Sequence, residues 1–321
     1  LFIPIWGYHF FLGRLIAYTA NFFPVFWVPS IYIFSALFIN TLTLGYFARD
    51  GFSWLIKSRK LRILTCVLMV TGPGNEVYFG LCVMYSPLAL LGFLLLLERP
   101  WDPSWKKILF FLFLTFSTGV MFSAIPLVAY LLYITRKKNY SVILLIIIAA
   151  SIYNIFGTTS SDSLAVQRGE FNILNLQNLP KVLFQNFITR LFIVPFFGQQ
   201  SMDLILNPAK YLSVLTAFGI FAYYLLKQGF YKDQKFYFLI LIYSSFIGIL
   251  GVTALVRNSG MEILLIKSNI NWGVRYFFLP GVTALLIWGY IISKQTKGDG
   301  LSVSILLIYI MVSINLMNWN I

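Results

Sequence analysis

Long apolar stretches alternate with short basic clusters along the chain. A helix needs about 20 apolar residues to cross the hydrocarbon core of a bilayer. Stretches that meet or approach this length lie at 25–48, 77–97, 236–256, 276–293 and 301–317, with shorter runs at 142–156 and 211–226. The pattern predicts an all-α fold, a polytopic transmembrane helical bundle that forms a single transmembrane domain over residues 1–321.

Two apolar stretches are interrupted by helix-breaking residues and do not fit a single span. Residues 63–97 contain TGPGNE, and residues 108–134 contain STG followed by Pro126. Basic clusters flank each stretch on both sides. Because basic clusters favour the cytoplasm, each stretch is predicted to be a hairpin whose tip points outward.

The ascending arms of these hairpins, 61–71 and 108–118, have 11 residues each. That length covers roughly half of the hydrocarbon core, so the arms are predicted to be half-length helices. Broken backbone at membrane depth is tolerated where it is buried in protein or lines a wet cavity. We therefore expect a cavity that opens outward and is floored by TGPGNE and STGVMFSA.

Composition supports a membrane location. The chain is 59% hydrophobic and only 11% charged, whereas soluble domains carry about 25% charged residues. Its 24 Lys and Arg against 10 Asp and Glu give a net charge of +14. Because these basic residues lie in clusters between apolar runs, they indicate topology, with the lipid bilayer and no nucleic acid as the expected partner.

Few residues are suited to metal or cofactor chemistry. His9 is the only histidine, and Cys66 and Cys82 both lie inside apolar stretches, so no His/Cys metal site is predicted. The sequence has no haem, flavin or nucleotide motif. The cofactor is left open, with a divalent cation as one alternative.

Glu76 is the clearest candidate for chemistry, because ionisable groups at membrane depth are expensive and mark functional sites by default. It follows Asn75, a plausible N-cap whose helix start would favour an anion such as a phosphate. A structural cap paired with an arginine is the alternative role for Glu76.

Arg275 and Tyr276 stand where an outer loop re-enters the membrane, at RYFFLP. A guanidinium at this level suits bidentate binding of a phosphate, and the aromatic side chains suit a lipid chain. A simple interfacial anchor is the alternative.

Two outer segments complete the expected site. Residues 1–24 carry His9 and Arg14 on one face of an amphipathic helix that lies on the outer surface. Residues 157–210 form an outer polar segment rich in Asn and Gln, with a re-entrant or interfacial helix around Arg190.

In combination, YHFFLGRLIAYTANFFP, TGPGNEVYFGL, STGVMFSAIP and RYFFLP resemble the GT-C superfamily of polytopic membrane glycosyltransferases, particularly bacterial members that use polyprenyl-phosphate-linked sugars. The resemblance implies a first transmembrane helix, and a carboxylate base after it, upstream of Leu1. It also implies an active site on the periplasmic or extracellular side of the bacterial inner (plasma) membrane.

The mechanism implied by the resemblance is the transfer of a hexosyl or pentosyl group to a glycan or lipid acceptor. Glu76 would line the pocket or act as the catalytic base. Arg275, with Arg14 or the helix start at Asn75, would neutralise the lipid phosphate.

Three alternatives use the same features without this reaction. A flippase or other transporter of lipid-linked glycans would use the outward cavity, and a surface-polysaccharide polymerase or ligase would use the phosphate-binding arginines. A structural membrane subunit would need the intramembrane charges only for helix packing.

Overall fold

The computed structural model describes residues 11–71, 85–99, 104–159, 173–194, 208–256 and 278–295. All regular elements within these residues are helical and none is a strand, which confirms the predicted all-α class. Two helical stretches, Val25–Phe47 and Gln234–Gly251, are long and apolar enough to cross a membrane. This favours a membrane location, while the full set of predicted spans stays a prediction.

The chain divides into two compact units that interleave along the sequence. Unit 1 comprises Leu1–Trp54 and Gly74–Val166, and unit 2 comprises Leu55–Pro73 and Gln167–Ile321. The predicted single transmembrane domain over residues 1–321 stays a prediction.

Unit 1 contains six described helices. They are α1 (Phe11–Ala20), α2 (Val28–Phe47), α4 (Tyr85–Leu97), α5 (Trp105–Ser117), α6 (Ile125–Thr135) and α7 (Lys138–Thr159). A 3-10 turn at Val25–Trp27 leads into α2, and Pro29 occupies its first turn, where a missing N–H costs nothing. Helix α7 begins four residues before the apolar run at 142–156 and extends beyond it.

Helix α2 exposes its apolar side chains over most of its length. Only 11% of its most apolar stretch is buried, and Phe34 and Phe38 are 70% and 64% exposed. A soluble protein rarely exposes a contiguous apolar surface of this kind. The exposed surface of α2 is therefore suited to lipid.

Unit 2 contains the remaining five described helices. They are α3 (Arg59–Thr71), α8 (Ile173–Ile188), α9 (Pro208–Lys227), α10 (Gln234–Val256) and α11 (Phe278–Gln295). Helix α10 packs against both α8 and α11, and α11 also packs against α3. Gly289 of α11 permits the last contact, because a Cβ there would lie 3.1 Å from Oγ1 of Thr65.

Helices α3 and α5 have the half-length form that the interrupted stretches predict. Each has 13 residues, or about 20 Å at 1.5 Å per residue, which is shorter than the core of roughly 30 Å. Helix α3 ends at Thr71, the first residue of TGPGNE, and the rest of this tip, 72–76, lies outside the described residues.

Several residues of the STGVMFSA tip are packed inside unit 1, whereas the cavity predicted over both tips stays a prediction. A 3-10 turn at Gly119–Ala124 joins α5 to α6, and Thr118, Met121 and Ser123 are fully buried. Met121 fills the space beside Gly92 of α4, where an added Cβ would lie 2.7 Å from the methionine methyl group. The broken backbone is thus buried in protein, the other arrangement in which a break is tolerated.

A carboxylate joins three helix ends in unit 1. Glu98, directly after α4, accepts a hydrogen bond of 2.5 Å from the Tyr46 hydroxyl of α2 and one of 2.8 Å from Nζ of Lys107 of α5. Arg49 forms an ion pair with the same carboxylate at 3.4 Å. Gly51 permits this approach, because a Cβ there would lie 2.6 Å from Cγ of Glu98.

These contacts favour the charged form of Glu98. Burial by itself raises the pKa of the carboxyl group, but the hydrogen bonds from Lys107 and Tyr46, with the charge of Arg49, outweigh it and hold the pKa below its usual value. Basic residues after α2 and at the start of α5 therefore meet at one end of the unit, as the predicted topology requires.

Loss of the Lys107 ion pair is expected to destabilise the protein. Lys107→Gln leaves the largely buried Glu98 carboxylate without its shortest cationic contact, and we expect a loss of about 1–2 kcal/mol in the free energy of unfolding. Lys106→Gln is the matched control, because this neighbouring lysine is exposed and its Nζ lies 5.9 Å from the centre of the Trp105 ring. Thermal unfolding of the purified protein in detergent measures both, and equal effects of the two variants would contradict the assignment.

The contribution of Glu98 is expected to depend on pH. Because its pKa is lowered in the folded protein, its stabilisation is complete above the usual carboxyl pKa and is lost as the pH falls through the lowered value. The difference in unfolding free energy between wild type and Glu98→Gln should therefore be largest near neutral pH and shrink as the pH falls below the usual carboxyl pKa. Denaturant titrations at several pH values test this, and a difference that grows on acidification would disprove it.

Candidate functional site

One of the six predicted site residues, Arg14, lies among the described residues. Glu76, Asn75, Arg275, Tyr276 and His9 lie outside them, so their assigned roles stay predictions. The described residues offer two separate places of interest, Arg14 in unit 1 and a buried polar cluster in unit 2.

Helix α1 packs against α2 and α5. The ring of Phe11 contacts the edge of Phe113 of α5 at 5.6 Å between centroids. Arg14, one turn further along, is partly buried, and its Nε is buried without a hydrogen-bond partner among the described residues. A buried donor without an acceptor is costly, and an anionic ligand would satisfy it.

An aromatic strip continues from α1 into the start of α2. Its exposed members are Tyr18, Phe22, Phe23, Phe26 and Trp27. Tyr18 and Phe22 contact each other edge to face at 5.3 Å. This aromatic strip has the amphipathic character expected of a helix that lies at a membrane interface.

Unit 2 contains a helix defect that the sequence did not reveal. After α8, residues Thr189–Ile193 form a π-helical turn, in which the N–H of Val194 bonds to the carbonyl of Thr189. A π-turn releases carbonyl groups from the regular hydrogen-bond ladder, and such turns are frequent at functional sites.

Side chains from two other helices bond to carbonyls around this turn. The Tyr243 hydroxyl of α10 donates to the Phe187 carbonyl at 2.8 Å, and Nε1 of Trp288 of α11 donates to the Leu191 carbonyl at 2.7 Å. The Trp288 ring also stacks on Phe221 at 4.8 Å. The π-turn is therefore fixed by α10 and α11.

Arg190 lies in this turn and is only 2% exposed. Asn186 and Thr189, also buried, bond to carbonyls of their own helix one turn back. The three residues occupy positions i, i+3 and i+4 and therefore share one helix face. In the sequence, this arginine stands within the apolar run FITRLFIVPFF, which predicted an interfacial helix. The sequence did not predict that α10 and α11 bury the arginine.

Tyr243→Phe is expected to destabilise unit 2. The substitution removes the hydroxyl that donates to the Phe187 carbonyl beside a buried π-turn, so we expect a loss of about 1–2 kcal/mol in unfolding free energy. Tyr237→Phe is the matched control, since Tyr237 lies on the same helix and is 54% exposed. Thermal unfolding in detergent measures both variants, and a stable Tyr243→Phe protein would show that the hydroxyl does not support the turn.

The sequence matches no family model, and no curated protein or solved structure is significantly similar to it.

Proposed function

We propose that this chain is a membrane glycosyltransferase. It transfers a sugar from a polyprenyl-phosphate-linked donor to a glycan or lipid acceptor on the non-cytoplasmic face of a bacterial inner membrane. The observation that carries the proposal is Arg14, a partly buried guanidinium whose Nε lacks a hydrogen-bond partner among the described residues. Its helix carries aromatic side chains suited to a lipid interface.

Arg14 is assigned to the lipid phosphate. An arginine binds a phosphate through several charge-assisted hydrogen bonds, which are stronger when water is excluded. The aromatic strip from Tyr18 to Trp27 offers an apolar surface for the isoprenoid chain that carries the phosphate. One region of unit 1 would thus bind both parts of the donor.

The transfer itself requires a base and a stabilised leaving group. The acceptor hydroxyl oxygen forms a bond to the anomeric carbon while the bond from that carbon to the phosphate oxygen breaks. The electron pair leaves with the lipid phosphate, and the hydroxyl proton passes to a carboxylate. Glu76 is the proposed base or pocket residue, and Arg275, Tyr276 and Asn75 keep their predicted role in binding the lipid-phosphate donor.

The helix architecture supports this proposal over a soluble enzyme. The 13-residue helices α3 and α5 end before they would cross a bilayer. Helix breaks at membrane depth are typical of chains that build a site inside the membrane.

Arg14→Ala is expected to weaken binding of a polyprenyl phosphate by about tenfold or more, because one charge-assisted hydrogen bond contributes about 1.5–3 kcal/mol. Arg59→Ala is the control, since Arg59 is an exposed arginine at the start of α3. The measurement is equilibrium binding of the lipid phosphate to the purified chain in a neutral detergent.

Equal affinities of wild type and Arg14→Ala would remove the assigned role. Arginine-dependent binding without sugar transfer, in an assay with a polyprenyl-phosphate sugar and mixed acceptors, would instead favour the flippase alternative.

A further inference from the structure

Four lysines gather at the turn between α9 and α10 and at the end of α11. Lys227 ends α9, Lys232 lies in the 3-10 turn, Lys235 begins α10 and Lys294 lies in the last turn of α11. The turn is tight because Gly229 adopts a positive φ of 76°, a conformation that residues other than glycine rarely adopt. Phe230 is buried directly after it and anchors the turn.

Asp233 is the one acid in this turn, and it is engaged by unit 2 itself. Its carboxylate accepts hydrogen bonds from the Tyr290 hydroxyl and from Nζ of Lys294, both at 2.5 Å, and from the N–H of Lys235 at 3.0 Å. Burial by itself raises the pKa of Asp233, but these bonds outweigh it and hold the pKa below its usual value. Asp233 therefore stays charged and directed to Lys294.

The ammonium groups of the other three lysines are available to an anionic ligand. Lys227, Lys232 and Lys235 form no ion pair among the described residues. Lys227 and Lys232 are exposed and Lys235 is partly exposed. Nζ of Lys232 lies 5.3 Å from the centre of the Tyr231 ring, at cation–π distance.

Exposed tyrosines accompany these lysines. They are Tyr223 and Tyr224 at the end of α9, Tyr231 in the turn and Tyr237 in the first turn of α10. Tyrosine rings are enriched where a membrane meets water, because one end is apolar and the other polar. The apolar stretch Gln234–Gly251 begins at the same turn, which would place the turn at headgroup depth if α10 crosses the bilayer.

We propose that this lysine–tyrosine surface, formed by Lys227, Lys232, Lys235 and the four tyrosines, binds the headgroups of anionic phospholipids. The lysines attract the negative charge of the phosphate, and the tyrosine rings lie against the glycerol and upper acyl region of the lipid. Because the Asp233 carboxylate is paired with Lys294, it repels the lipid phosphate less. The proposal requires a membrane location but not sugar transfer, so it goes beyond the glycosyltransferase assignment.

The test compares phosphatidylglycerol with phosphatidylcholine as probes. The full chain in a neutral detergent is titrated with each lipid, and bound lipid is counted by native mass spectrometry. Wild type is expected to prefer phosphatidylglycerol, and a triple substitution of Lys227, Lys232 and Lys235 by Gln is expected to reduce that preference about tenfold or more. The same lysines changed to Arg should retain it, because the charge is kept.

The matched control replaces Lys57, Arg59 and Lys60 by Gln. These residues form an exposed basic cluster, and among the described residues no exposed tyrosine lies next to them in the sequence, so the variant should keep most of the preference. If the triple Gln variant does not fold, Lys232→Gln alone makes the same comparison with a smaller expected loss.

Three results would overturn the proposal: no preference in wild type, an equal loss in the control cluster, or a loss in the Arg variant. Arg14→Ala should keep the phosphatidylglycerol preference while it loses polyprenyl phosphate. Failure of one assignment is therefore distinguishable from failure of the other.

Discussion

Backbone polar groups released at a helix end or break need partners inside the protein when the surroundings are apolar. Much of the described structure follows from this constraint. Tyr243 and Trp288 donate to carbonyls around the π-turn. Arg62, 1% exposed at the start of α3, donates from Nη1 to the carbonyls of Ile56 and Lys57 at 2.8 and 3.0 Å. Tyr243, Trp288 and Arg62 thus supply hydrogen-bond donors to backbone carbonyl groups at helix ends and breaks.

The same chemistry fixes helix ends in both units. Glu98 in unit 1 and Asp233 in unit 2 each accept hydrogen bonds from a tyrosine hydroxyl and a lysine ammonium group contributed by other helices. In each case the partners lie at the helix ends that the basic clusters assign to the cytoplasm. The basic clusters therefore stabilise the fold as well as indicating the topology. A carboxylate in a partly buried position keeps its charge only if cationic side chains contact it.

Local signals in the sequence predicted the helix boundaries well. The TGPG and STG segments predicted the ends of α3 at Thr71 and of α5 at Ser117, because glycine and proline are common at helix ends, although single glycines such as Gly92 and Gly289 lie inside helices. The ends of α7 were missed, since polar residues such as Lys138 and Asn139 continue a helix without contributing to an apolar run.

Local signals in the sequence did not predict the contacts between residues that are far apart along the chain. Tyr46 and Glu98 are 52 positions apart, and Leu191 and Trp288 are 97 apart. Nothing local in an apolar run distinguishes an arginine at a lipid interface from one buried by two other helices, so Arg190 was predicted as part of an interfacial segment. Arg14 was predictable as a polar residue on an amphipathic helix, whereas the burial of its Nε depends on how α1 packs on α2 and α5.

The distribution of acids narrows the choice of a catalytic base. Among the described residues the acids are Asp50, Glu98 and Asp233. Glu98 and Asp233 both have a lowered pKa and are hydrogen-bonded to lysine, which makes a carboxylate a weaker proton acceptor. Asp50 lies in the 3-10 turn after α2, at the end of unit 1 where Arg49 and Lys107 meet Glu98. If the chain transfers a sugar on the opposite face, its base therefore has to be an acid other than these three, and the two predicted candidates are Glu76, beside the predicted break at TGPGN, and the carboxylate that the resemblance implies upstream of Leu1.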